Sequence, residues 1–460
     1  MAIALYTGRA SANERMTVDE AVKLALAQNL PLLATEEVAS ASHEVVKSVR
    51  ATLLPTVQAA DQFQHWNCPG AISLVRLPEG LRCRSDLEGG PPPPPDLSAF
   101  TPAQQQQLES LINGFAAIPV VVRDRTTNIF AVTIDQPLLG LWRRSVEVAT
   151  ARAAASAADA GVLVTQADVA QGVRTYFLQL FEARAEEQIA AASVRELDEQ
   201  VASAKTRLAV HVITESDLLR VEVAAANARQ DQISARADAE VRKAELLDVL
   251  GLAPSADVEF VEPTALLADS QPLAPDVKAV TERAIARRPE VARATSEHEA
   301  AEHLTTARHL ALLPEIDAQL GYIRTDGTIA SIHNQEYIGV SASWTVWDWG
   351  TRTHLADAAA RVAHAAALEL DERRRQVAVE VKTTLVQTNA ARAAVAVAKQ
   401  TIGSAEEAYH AMQARVTAGT ATTTDLLDAQ TALTRARLNL TRARYSEAVR
   451  HVAYLRAIGE

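Results

Sequence analysis

The densest run of metal-ligand residue types is SEHEAAEHLTTARH, which carries His298, Glu299, His303 and His309. A helical zinc site of the H-E-x-x-H type needs its second histidine at 302, so that both imidazoles share one face a turn apart. Glu302 stands there, and the H-x-x-E-H order fails as well. The run reads as a solvated helix face. No G-x-S-x-G, phosphate loop or G-x-G-x-x-G is present, so nothing supports an enzyme, and no metal or cofactor is implied. A different chemistry attaches to Asp425 and Asp428, three residues apart and hence on one helix face. Paired carboxylates attract cations and repel each other; they also suit a helix start, where the macrodipole favours negative charge.

The elements that must position such residues are read from composition and repeats. The chain has 460 residues, of which 48% are hydrophobic and only 4% aromatic. Alanine-rich stretches such as ARAAASAADA favour long, closely packed helices. A formal charge of −12 offers no basic excess for phosphates, which argues against a nucleic-acid partner. No window approaches the roughly 18 consecutive apolar residues of a membrane-spanning helix. Ala10, Ser11 and Ala12 make a small-residue cleavage motif, open to two readings: the remnant of a signal peptide, or a ragged cytosolic start.

The chain repeats itself. Asp217-Leu218-Leu219 recurs as Asp425-Leu426-Leu427, and the same offset of 208 pairs Arg144 with Arg352 and Arg207 with Arg415. Leu53-Leu54-Pro55 recurs as Leu312-Leu313-Pro314 at offset 259, and Pro31 pairs with Pro289 at 258, so the first copy carries an insertion between Pro55 and Gln136. The expected organisation is an N-terminal segment 1–16 cut near Ala12, a first repeat 17–252 with 67–125 inserted, a linker 253–275 broken by prolines, and a second repeat 276–460.

Each copy begins with a short helix, marked in the first by a Thr17/Glu20 capping box, and continues with a second helix up to the Leu-Leu-Pro. The period then changes to two. Ile338, Val340, Ala342, Trp344 and Val346 share one face against Gly339, Ser341, Ser343 and Thr345. Ile316 to Tyr322 alternates likewise, Phe130, Val132 and Ile134 mark a third strand, and Pro55 to Trp66 a weaker fourth. Each has about the 10-residue length of a tilted membrane β-strand. Helix-compatible sequence then runs from Pro137 to Leu208 and from Thr345 to Val416, rods of roughly 100 Å at ~1.5 Å per residue. The returning helices carry a coiled-coil seam, Leu426, Ala429, Leu433, Ala436, Leu440 and Ala443 in the second copy.

In this order and duplicated, the Leu-Leu-Pro boundaries, the passages Gln136-Pro137-Leu138-Leu139-Gly140 and Val346-Trp347-Asp348-Trp349-Gly350, and the turn Arg415-Val416-x-x-Gly419 before Asp425-Leu426-Leu427-Asp428-Ala429 resemble the TolC-like outer-membrane efflux and secretion channels. The resemblance implies a mainly α fold with a β-barrel part. Long hairpins of three subunits would form a periplasmic α-helical barrel, and four strands from each would complete a 12-stranded barrel in outer-membrane lipid. The linker would lie at the tunnel equator. The chain would then be a passive homotrimeric exit duct for efflux or type I secretion, working with a periplasmic adaptor and an inner-membrane pump, its cargo left open. By the same resemblance Asp425, Asp428 and Asp217 belong to the periplasmic aperture, and Val210, His211, Val212, Ala418, Gly419 and Thr420 to the adaptor-contacting tips. Trp344, Trp347 and Trp349 would form an interfacial belt, and Cys68 and Cys83 would close a disulfide in the outer loop. The chain departs from the family at His211, where glycine is usual, and at Ala421, where arginine is common. The competing class is a soluble coiled-coil scaffold, which has no reason to keep duplicated strand pairs.

Overall fold

The computed structural model describes residues 15–72, 82–83, 100–116, 120–267, 273, 276–329 and 331–460. The expected cleavage site near Ala12 and the run Pro91 to Pro95 lie outside them. Contacts divide the chain into two units, one of Met1–Glu44, Arg152–Ala301 and Val362–Glu460, the other of Val45–Ala151 and Glu302–Arg361.

In chain order the elements are β1 (Arg15–Met16), α1 (Val18–Gln28), α2 (Leu30–Ala51), β2 (Thr56–His65), β3 (Gly70–Ile72), β4 (Arg82–Cys83), α3 (Pro102–Ala116), β5 (Val120–Pro137), α4 (Gly140–Ala209) and α5 (Glu215–Val249). Then follow β6 (Glu259–Phe260), α6 (Val277–Arg287), α7 (Pro289–Leu310), β7 (Glu315–Thr328), β8 (Asn334–Ser343), α8 (Thr351–Thr417) and α9 (Thr423–Ile458). The duplication is kept to the residue: α4 and α8 end, and α5 and α9 begin, at the 208 offset. Both ends of α1 and α6, and of α2 and α7, sit at 259. Pro289 therefore corresponds to Leu30, which corrects its pairing with Pro31.

The helical unit is organised by a core of Ala21, Val22, Phe177, Leu178, Leu246, Phe260, Tyr445 and Val452, drawn from α1, α4, α5, β6 and α9. Phe177 stacks on Phe181 at 5.4 Å and meets Phe260 edge-on at 5.6 Å. Thr17 and Glu20 cap α1 as expected. The linker is more than a helix breaker, because its Glu259–Phe260 pairs in parallel with Arg15–Met16 and delivers Phe260 to the core.

In the other unit, β2, β5, β7 and β8 form a wholly antiparallel sheet, with β3 paired to β5 and β4 to β3. The insertion is thus partly built: it contains β3, β4, α3 and the first residues of β5. The second long helix starts at Thr351 rather than Thr345, because Trp349 (φ 57°) and Gly350 (φ 80°) take two consecutive left-handed steps. Asp348 accepts hydrogen bonds there from the Gly350 and Arg352 amides.

Candidate functional site

The two hairpin tips are built alike. In the first, the Val212 amide donates to the Arg207 carbonyl and the His211 amide to Leu208. In the second, Thr420 donates to Arg415 and Gly419 to Val416. This is one Schellman cap made twice, with His211 (φ 61°) in the left-handed position that Gly419 (φ 73°) fills without a Cβ penalty. His211 therefore bends the chain as glycine does, at a conformational cost. Val210 and Val212 are exposed apolar residues beside it, and Ala418, Gly419 and Thr420 are exposed on the other tip.

The next turn repeats too. Thr214 and Asp217, and Thr422 and Asp425, form reciprocal capping boxes; the Thr422 amide and hydroxyl reach Asp425 at 2.9 and 2.7 Å. The threonine hydroxyl first, then its amide, hold the carboxyls of Asp217 and Asp425 below the usual range. Asp428 is exposed one turn further on, and its counterpart in the first copy is Arg220. Asp217 is engaged by its own turn. At the tips the two hairpins of the chain are joined by Arg207, which donates to the Val416 carbonyl at 2.9 Å, and by Arg220, which donates to the Thr424 hydroxyl at 2.9 Å. The Arg207/Arg415 repeat was the only sequence signal for them.

Where strand meets helix, the two copies again share positions. Arg144 donates to the Thr52 carbonyl and Arg352 to Ala311, at 2.9 Å in the second case; Gln136 donates to Leu53 at 3.3 Å and the Trp344 indole to Leu312 at 3.1 Å. Each side chain satisfies a carbonyl that the ending helix α2 or α7 leaves without a partner. Around these bonds Trp344, Trp347 and Trp349 are exposed, the last by 86%, and the rings of Trp347 and Trp349 meet at 5.7 Å. Trp142, Leu138 and Leu139 extend the same collar in the first copy, and of these the aromatic Trp142 was missed in the sequence.

Above the collar the sheet shows one apolar and one polar face. Val57, Ile134, Leu320 and Ile338 lie side by side in one row across all four strands, and the opposite face carries rows such as Gln58, Thr133, Gly321 and Tyr337. The apolar face is uncovered: Val57 is 67%, Val340 69% and Ile338 86% exposed. Cys68 and Cys83 are joined, with 5.5 Å between their Cα atoms, and tie the β2–β3 connection to β4. Beside them the Arg123 guanidinium lies 3.8 Å from the Trp66 ring.

His298, His303 and His309 lie along α7, and among the described residues no group of three or more His, Cys, Asp or Glu is placed to hold a metal ion. A charged crevice of about 430 Å³ is lined by Asp168, Arg288, Glu290, Arg293 and Glu380, among others. Its acids and bases neutralise one another. Burial alone would raise the Glu290 carboxyl; hydrogen bonds from Arg288 and Arg456 prevail and hold it at about 2.

Residues 280–460 match the family described as outer membrane efflux protein. The chain is 24% identical over 338 residues, 73% of either protein, to the outer membrane efflux protein BepC of Brucella suis. In fold it is similar to the CmeC outer membrane channel of Campylobacter jejuni (TM-score 0.75, 12% identity, covering 96% of this chain and 85% of that one). It is equally similar to CusC (0.76, 13%, 96% and 92%) and to the open MtrE outer membrane channel of Neisseria gonorrhoeae (0.73, 16%, 96% and 88%).

Proposed function

From a chain that has the fold of the TolC-like outer-membrane channels and, in its second copy, the sequence of the outer membrane efflux proteins, we propose a trimeric outer-membrane exit duct, gated at its hairpin tips and coupled by an adaptor to an inner-membrane pump. The observation that carries this reading is the sheet. Four strands leave the outer edges of β2 and β8 without a strand partner among the described residues. In lipid those amides and carbonyls need partners, and only closure with further strands supplies them. Strands from two more copies complete a barrel whose uncovered apolar face meets lipid and whose polar face lines the passage. The tryptophan collar then sits at the membrane boundary. A soluble coiled-coil scaffold leaves this exposed apolar face unexplained.

At the other end of the helices the Schellman tips, with Val210 to Val212 and Ala418 to Thr420, form the surface an adaptor meets. Threefold symmetry brings six carboxylates, from Asp425 and Asp428, around one axis. Each Asp425 is already held in its ionised form by Thr422, so the ring stays negative at neutral pH and admits cations. No chemistry is performed; opening the tips is the mechanism. Replacing Asp425 and Asp428 together by alanine raises single-channel conductance in planar bilayers and weakens block by divalent cations. Unchanged conductance and block remove the carboxylates from the aperture, and absence of any conductance from the unaltered protein removes the duct.

A further inference from the structure

Away from the tips, α4, α5 and α9 enclose a groove of about 320 Å³. Ser193 of its lining stands about 24 Å before the end of α4 at ~1.5 Å per residue. Ile189, Ala190, Ala235 and Leu438 give the groove an apolar wall, and its charged groups are Glu186, Asp231, Asp238 and Arg442. Glu186 and Arg442 satisfy each other through two hydrogen bonds of 2.6 and 3.1 Å. Asp231 and Asp238, both exposed, make no ion pair with any described residue. The groove therefore carries two carboxylates without a counter-ion.

A buried hydroxyl points the same way. Ser193 is 8% exposed, and among the described residues its side chain has no hydrogen-bond partner. A helix serine or threonine can return its proton to the carbonyl four residues back. The counterpart of Ser193 at the 208 offset does so, since the Thr401 hydroxyl donates to the Val397 carbonyl at 2.9 Å. Left unbonded at this burial, the Ser193 hydroxyl costs free energy that a polar group in the groove recovers. Nor is the acidic lining a product of the duplication. The counterparts of Glu186, Asp231 and Asp238 are Ala394, Asn439 and Ser446, so each chain has this set of carboxylates once.

We propose that this groove binds a linear polyamine. Asp231 and Asp238 lie two turns apart on one face of α5, about 10 Å at ~1.5 Å per residue. One metal ion cannot bridge that distance. The terminal ammoniums of an extended triamine such as spermidine can, each meeting one carboxylate. The ammonium between them donates to the Ser193 hydroxyl, and the methylene segments lie along Ile189 and Leu438 as lysine stems lie on apolar surface. Because α5 and α9 belong to different hairpins, a bound amine bridges the two. A single chain builds the whole site, which holds whether or not the chain forms a duct.

The test is calorimetric titration of spermidine into the full-length protein in detergent at low ionic strength. Saturation at one spermidine per chain is expected, with an affinity that falls as salt is raised. Asp231→Asn with Asp238→Ser, which gives the groove the residues of the second copy, weakens binding at least about tenfold, and so does replacing spermidine by ethylenediamine, too short to span both carboxylates. Ser193→Ala weakens it about fivefold. In thermal unfolding followed by circular dichroism, spermidine raises the midpoint of the unaltered protein and leaves that of the paired variant in place. If the paired variant loses helix, Asp238→Asn alone carries the comparison with the same outcomes. No binding by the unaltered protein, or an affinity untouched by the substitutions at 231 and 238, overturns the proposal. Binding that survives those substitutions and is lost in Asp425→Ala with Asp428→Ala overturns it too, and puts the amine at the hairpin tips.

Discussion

The two copies share a backbone and differ in how they secure it. At the foot of the sheet Arg144 makes one bond, to Thr52, whereas Arg352 binds the Ala311 and Thr345 carbonyls and Asp348, at 2.9 Å for the last. Gly140 stands where the second copy has Asp348. At the start of the second helix of each copy, Asn29 accepts from the Leu32 amide at 3.1 Å, whereas its counterpart Arg288 joins Glu290, Glu380 and, through Glu290, Arg456 in a half-buried network. Asp248 replaces Arg456 in the first copy. At the tips the difference is reversed: the second copy has the relaxed Gly419 and the first the strained His211. Duplication preserved the positions at which a backbone group needs a partner and left the chemistry of that partner free to diverge.

The largest break comes at the network. Arg456→Ala leaves Glu290 and Arg288 in a low-dielectric site with one charge uncompensated, and costs about 3–5 kcal/mol in thermal unfolding followed by circular dichroism. A loss under about 1 kcal/mol would make the network ornamental. The same site sets an acid limit. Glu290 is held at about 2 when folded against an ordinary 4.5, so its contribution is fully present above 4.5 and is lost as pH falls from there towards 2. Glu290→Gln should flatten that part of the stability profile.

Next comes the collar. Arg352→Ala removes three partners and is expected to cost roughly 2–3 kcal/mol, against about 1 for Arg144→Ala; equal losses would erase the asymmetry. At the tips, His211→Gly relieves the left-handed strain and stabilises by about 1 kcal/mol, whereas Gly419→His costs a similar amount. Opposite signs in the two hairpins are the signature to look for. The smallest effect belongs to Trp344→Gln, which imitates the first copy and keeps a donor for Leu312: a change within about 0.5 kcal/mol, with Trp344→Leu costing about 1.

Much of the fold was legible because periodicity survives in single residues. The change from period 3.6 to period two at Pro55 and Pro314 located the strands, and the 208 offset located both hairpin tips. What escaped notice depends on groups distant in sequence or on backbone chemistry. The Phe260 strand is two residues long and is defined by its partner Arg15–Met16. Arg207 and Arg220 bind a carbonyl and a hydroxyl across more than 200 residues, and neither acceptor announces itself in a sequence. Asp217 and Asp425 were legible as helix-start carboxylates; that the threonine of each box engages them was written three residues earlier, in Thr214 and Thr422. The insertion carried no periodic signal for β3 and β4; β3 is held by β5, and β4 by β3 and the disulfide.

Gly321 faces Tyr337 across β7 and β8, and a Cβ built on it would stand 2.2 Å from the ring. The phenol therefore lies down over the bare backbone of its neighbour instead of standing upright from the sheet. This is the polar face of the sheet, and in the duct proposed above a ring folded flat there leaves the bore wider at that level. A single methyl at 321 would lift the ring off the backbone and raise a step on that face.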